Sequence, residues 1–193
     1  MFGIKESTGD VEIPKDFTFE SVDISLSTGD VQSFACVSQC AKIQTSTGDI
    51  RVENTAVGAL DLSVSTGNVT VSNVTCAGDM KIRVSTGKTK VTNARCQNGI
   101  SSGSTGDISL QNVIATQKVS IERSTGDVTL DGSDAAEIFI KTDTGDVRGG
   151  LLTDKVFITQ TETGSVDVPK IIRGGRCEIY TDTGDIQITT DGR

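Results

Sequence analysis

The tripeptide Ser/Asp/Glu-Thr-Gly recurs ten times, ending on Gly9, Gly29, Gly48, Gly67, Gly87, Gly106, Gly126, Gly145, Gly164 and Gly184, with gaps of 20, 19, 19, 20, 19, 20, 19, 19 and 20 residues. A fixed period of this length restricts the chain to a repeat architecture. One such unit is too small to bury a core and does so only against its neighbours.

The pattern within the unit fixes the kind of repeat. Counting from each glycine, Val or Ile follows at +2 in nine copies and an apolar residue is usual at +4. Upstream, apolar residues recur at −7 and −5, as in Val22 and Ile24, Leu60 and Leu62, or Ile138 and Ile140. Alternation with period two marks a strand with one buried face. No apolar stripe of period 3.6 is sustained, and Thr, Val and Gly are poor helix formers. The expected fold is therefore all-β: a parallel β-helix, or β-solenoid, of about ten coils with equivalent strands stacked in parallel. At the strand spacing of roughly 4.8 Å the rod is about 45–50 Å long. Right-handed crossovers are the rule for parallel strands, so a right-handed coil is expected. The repeat runs from end to end with no linker, and residues 1–193 read as one domain.

Several columns follow from stacking. Glycine supplies the positive φ that a sharp corner demands. Extending the strand parity to −1 turns the ten corner threonines inward or into the corner, as a column of hydroxyls bonded to one another or to backbone. Asp occupies +1 in seven copies and turns back on its own corner. Asn54, Asn73, Asn93 and Asn112 share +6 in consecutive coils and are expected to form an amide ladder. Cys76 and Cys96 share +9 on adjacent coils. They read as a stacked pair of core thiols or, if their Cβ atoms aim well, a bridge. Cys36 and Cys40 form a C-x3-C pair, but with no His in the chain a zinc site is not supported. Aromatic residues are absent between Phe34 and Phe139, so wide side chains gather toward the rod's ends, where an apolar end must be covered.

Repeated Ser-Thr-Gly-Asp-Val, from Ser7-Thr8-Gly9-Asp10-Val11 to Asp182-Thr183-Gly184-Asp185-Ile186, resembles a bacterial family of adhesin-like β-helix domains of unknown function. The resemblance covers the whole chain. It implies a solenoid fold and a location at the cell envelope or extracellular surface, through a tether outside this chain. It transfers no catalytic residues. Asn68, Lys88 and Ser165 depart from the pattern at the outer corner.

Three features bear on function. The aspartate column brings like charges about 5 Å apart, which calls for amide donors, a shared proton or a cation. Calcium is the cation alternative, with extra acids at Asp143, Glu162 and Asp182. The second is a basic island, Lys81, Arg83, Lys88, Lys90 and Arg95, in which Lys88 interrupts the acidic column. The third is the pair of uncapped ends, which suggests a domain excised from a longer protein or ends that pair with another chain. A polysaccharide-acting enzyme needs a loop-built groove with paired carboxylates; insertion-free coils lack one. No catalytic, cofactor-binding or metal-binding residues are assigned, and no cofactor is expected. A net charge of −8 disfavours nucleic acid. The expected role is a non-enzymatic surface-binding module for a protein or glycan. The alternative is a spacer or scaffold that oligomerises through its ends.

Overall fold

A computed structural model of the chain describes residues 1–191. It is all-β among those residues, with every strand pair parallel. Ten Thr-Gly corners bound nine complete turns of a β-solenoid. In the turn between Gly48 and Gly67 the buried residues are Ile50, Val52, Thr55, Val57, Leu60, Leu62 and Val64. The inward step is two residues except at Val52–Thr55 and Val57–Leu60, where it is three. Each three-residue step marks a further bend, so the coil has three faces. One of these bends is Asn54, in the left-handed region with φ of 52°. Asn73, Asn93 and Asn112 repeat it, and the amides of Asn73, Asn93 and Asn112 donate to the side-chain oxygens of Asn54, Asn73 and Asn93 at 2.9, 3.0 and 3.1 Å. The expected ladder is present; Gly132 repeats the backbone conformation on the next coil (φ 57°) but has no amide to extend it.

The corner glycines are fixed by two independent constraints. Gly67 has φ of 141°, and a Cβ there would fall well inside 3.0 Å of the Gly48 carbonyl oxygen on the coil below. Gly9 has the same φ but no coil below it, and its Cβ would meet nothing within 4 Å. Backbone conformation and coil-to-coil approach thus both demand glycine everywhere except at the first corner.

The threonine expectation is corrected. All ten corner threonines, Thr8 to Thr183, are exposed. Strand parity ends at −3, and the residues at −2 and −1 both face outward as the chain swings into the corner. The inner hydroxyls sit one step earlier. Thr45 and Thr181 are buried at −3 and donate to the corner carbonyls of Gly29 and Gly145 at 3.1 and 3.2 Å.

Stacking does not follow chain order to the end. The strand Gly175–Thr183 lies between Glu137–Thr144 and Lys155–Thr163, so that Ile179 pairs with Ile140 on one side and Thr159 on the other. Corner bonds record the same order: Gly145 N–H donates to Thr183 O at 2.9 Å, and Gly184 N–H donates to Thr163 O at 2.9 Å. The tenth coil is therefore inserted between the eighth and the ninth, and the ninth forms the tip. Burial explains the order. The inserted coil brings Cys177, Ile179 and Ile186 inside at 0 % exposure, whereas in the equivalent slots the ninth offers Thr159 in place of Ile179 and leaves Phe157 and Thr159 half-buried and Val166 exposed. At the opposite end Phe2, Phe19 and Phe17 stack with centroids 4.8 and 6.0 Å apart, closing the apolar interior as the distribution of aromatics suggests.

Candidate functional site

The acidic column is a hydrogen-bonded ladder. Each carboxylate accepts the backbone N–H of the +1 residue on the next coil, not of its own corner as expected. Asp10 accepts from Asp30 at 2.9 Å, Asp30 from Asp49 at 2.8 Å, and Asp49 from Asn68 at 2.7 Å. Asn68 Oδ1 accepts from Lys88 N–H at 2.9 Å. Lys88 has no acceptor to pass on. Instead its Nζ lies 3.1 Å from Asp107 Oδ2, and that hydrogen bond, foremost, holds the Asp107 carboxyl below the usual aspartate range. The ladder resumes with Asp107, which accepts the Asp127 N–H at 3.3 Å, and ends at Ser165. There Asp185 accepts both the N–H (2.8 Å) and the hydroxyl (2.9 Å), and the Asp185 carboxyl is also lowered, first by the Ser165 amide. Amide donors thus offset the repulsion that the sequence poses. Among the described residues no group of three or more His, Cys, Asp or Glu is placed to share a metal ion.

The basic island does not form one patch. Arg83 pairs with Asp61 at 2.6 Å, Lys81 with Asp79 at 3.8 Å and Lys88 with Asp107, while Lys90 and Arg95 lie on the other two faces of the coil. The extra acids Asp143, Glu162 and Asp182 stay at the outer surface.

The most unusual interior residue escaped the sequence reading. Arg123 occupies an inward −3 slot and is 3 % exposed. Its guanidinium reaches across two coils, donating to Val84 O at 2.6 Å and to Thr89 Oγ1 at 3.1 Å. Gly103, in the −3 slot between, leaves the room: a Cβ there would run into both Val84 O and the guanidinium. Thr89 is the single +2 residue that is not Val or Ile, so three irregularities form one internal contact. Burial lowers the Arg123 pKa, and Asp107 opposes that shift. Beside it, Gly99 and Ser101 replace larger inward residues and leave a void of about 20 Å³ bordered by Met80 and Val119. Ser101 Oγ is buried there without a partner.

The second buried charge lies where the chain departs for the tip. Lys155 Nζ is 2.6 Å from Asp134 Oδ1, with side chains 3 % and 10 % exposed, and also donates to Thr153 Oγ1 at 2.6 Å. Asp134 Oδ1 accepts the Ala135 N–H as well, at 2.7 Å. The pair floors an open, largely apolar groove of about 520 Å³ edged by Ile114, Ala136 and Leu152. With both charges neutralised by each other, it anchors the crossing segment to the body of the rod.

All five cysteines are free, Cys76 and Cys96 among them. Burial pushes the Cys96 and Cys177 thiols up to about 12, far from thiolate chemistry. On the side of the rod, Phe139 and Tyr180 are tilted neighbours 6.0 Å apart, with Lys118 Nζ 5.5 Å from the Phe139 ring centre. Among the described residues no helix is long and apolar enough to cross a membrane.

These observations define a β-solenoid repeat protein whose columns serve the stack. The chain belongs to the Toastrack DUF4097 family, a family of unknown function, whose model matches residues 2–95 and again 77–193. The two matches overlap and together span the described solenoid. No curated protein and no solved structure matches significantly.

Proposed function

We propose that the chain is a non-catalytic scaffold: a rigid rod with polar sides that associates through its ends. One observation carries this reading. Among the described residues most of the exposed large apolar side chains gather at the ends: Ile158, Val166 and Ile172 on the ninth coil, Met1 and Phe17 on the first. Ile100 lies on the side, and Leu152 edges the groove beside Ile114 where the chain leaves the eighth coil. Exposed apolar surface marks interaction sites, and here it selects the ends over the flanks. Held at the cell envelope by a tether outside this chain, such a rod would join partners at a distance set by its stack of coils.

Sedimentation velocity over a wide concentration range tests it. Reversible self-association, weakened by charges placed at Val166 and Ile172, supports the reading; a monomer at every concentration overturns it. A second reading, an adhesin-like contact with a protein or glycan, is favoured by the outward Phe139–Tyr180 pair, since aromatic faces beside a cation suit amphipathic ligands. Glycan-array binding abolished by Tyr180→Ser would favour that alternative.

A further inference from the structure

The tip of the rod is built from an internal segment of the chain. Because the tenth coil is inserted beneath it, the outermost strands are Lys155–Thr163 and Val166–Asp167, and each pairs on one side only, with Gly175–Thr183 and Ile186–Thr190. The last described strand, Ile186–Thr190, lies at the inserted level, not at the tip.

Exposed sheet edges are ordinarily blunted by charge, proline or bulges. The first coil follows that rule: its edge strand Phe2–Thr8 carries Lys5 and Glu6 at its centre. The tip strand does not. Val156-Phe157-Ile158-Thr159-Gln160-Thr161 is uncharged, rich in β-branched residues and free of Gly and Pro, which is the composition of a pairing-prone edge. Ile158 is 41 % exposed in its centre.

The backbone phase shows which groups are unpaired. Gly184 and Ile186 donate their N–H groups toward the tip coil, to Thr163 and Ser165. Successive residues of a strand direct their N–H groups to opposite sides, so residues at even offsets from the corner glycine face outward. In the tip strand these are Val156, Ile158, Gln160 and Glu162, and no further strand receives them.

We infer that this edge pairs antiparallel with the same edge of a second copy, giving a tip-to-tip dimer that extends the two rods in opposite directions. The inference rests on the proposed end-association and names its partner. Pairing every outward group selects the register. With the twofold axis at Thr159, Ile158 faces Gln160 of the second copy and Val156 faces its Glu162. All four outward residues are then used, and no like charges are opposed. Shifting the axis to Glu162 would set the two glutamates against each other. The arrangement is isologous and closed, so it stops at two chains.

The test uses Ile158→Lys in the whole chain. Lys42 and Lys81 already occupy the same outward column in other coils, so the fold accepts lysine there. Ile100→Lys, in that column on the rod's side, is the control. Expected are a dimer that saturates with concentration for the parent chain and for Ile100→Lys, and a monomer with unchanged circular dichroism and melting for Ile158→Lys. The amides of Val156, Ile158, Gln160 and Glu162 should also gain hydrogen-exchange protection on association. An undiminished dimer in Ile158→Lys, or growth beyond two chains, overturns the edge pairing while leaving end-association standing. A parent chain that stays monomeric overturns both.

Discussion

Gly9 and Gly67 separate two reasons for a corner glycine, because both have φ of 141° and only one has a coil beneath it. Substituting alanine at either site imposes the same backbone strain, of order 1–3 kcal/mol. At Gly67 the new Cβ must also displace the Gly48 carbonyl oxygen, and overpacking of this kind adds typically about 1–3 kcal/mol. Gly67→Ala is therefore expected to cost about 2 kcal/mol more than Gly9→Ala, a difference of roughly 4–8 °C in melting temperature for a chain of this size. Urea and thermal unfolding of the two variants measure it. Fraying of the first coil could mask strain at Gly9, so exchange of the Gly9 amide, bonded to Thr28 O at 3.1 Å, establishes that its corner is formed. Equal losses at the two sites would refute the argument that coil approach, and not φ alone, dictates the repeat.

Gly99→Ala is expected to stabilise by about 0.5–1 kcal/mol, because its Cβ would meet only Cys96 Sγ and Val119 Cγ2 at 3.7 Å and fill part of the internal void; a lowered urea midpoint would contradict this. Arg123→Ala removes charge-assisted bonds and opens a gap above Gly103, for an expected loss of about 3 kcal/mol. Arg123→Met should recover more than half of it by refilling the slot, and equal behaviour of the two variants would exclude a packing role. Asp107 and Asp185 have folded pKa values below the unfolded one, so their contribution is present above about pH 4 and is lost as pH falls through the folded values. Lys88→Met should therefore lessen the acid-induced fall in melting temperature by letting Asp107 titrate nearer its ordinary range, and an unchanged pH profile would count against the Lys88–Asp107 bond.

The fold was legible because period and parity are properties of the chain alone. The Asn54–Asn112 ladder, the core thiols and the aromatic ends followed from stacking like on like. Parity, however, does not reveal where a strand stops, and extending it two residues past −3 turns the corner threonines inward, where the chain in fact swings them out. A local partner is the default for Asp in a turn, whereas here the next coil offers its backbone amide. Insertion of the tenth coil left no mark in the spacing, since near-identical repeats can stack in any order. The signal lay in the inward slots: Thr159 stands where most other coils bury Ile or Leu, and Ser165 ends the carboxylate ladder. Arg123 and Gly103 likewise stand in a −3 column that in the other inner coils holds Leu, Val or Thr, and that column alone could have disclosed their contact.

The tip, its unpaired edge and the association built on it all depend on coil order. Scalar couplings across backbone hydrogen bonds, measured by NMR, report that order directly. The structure predicts couplings from the Gly145 amide to the Thr183 carbonyl and from the Gly184 amide to the Thr163 carbonyl. A coupling from Gly145 to Thr163 would place the ninth coil on the eighth, restore simple sequential stacking and contradict the account.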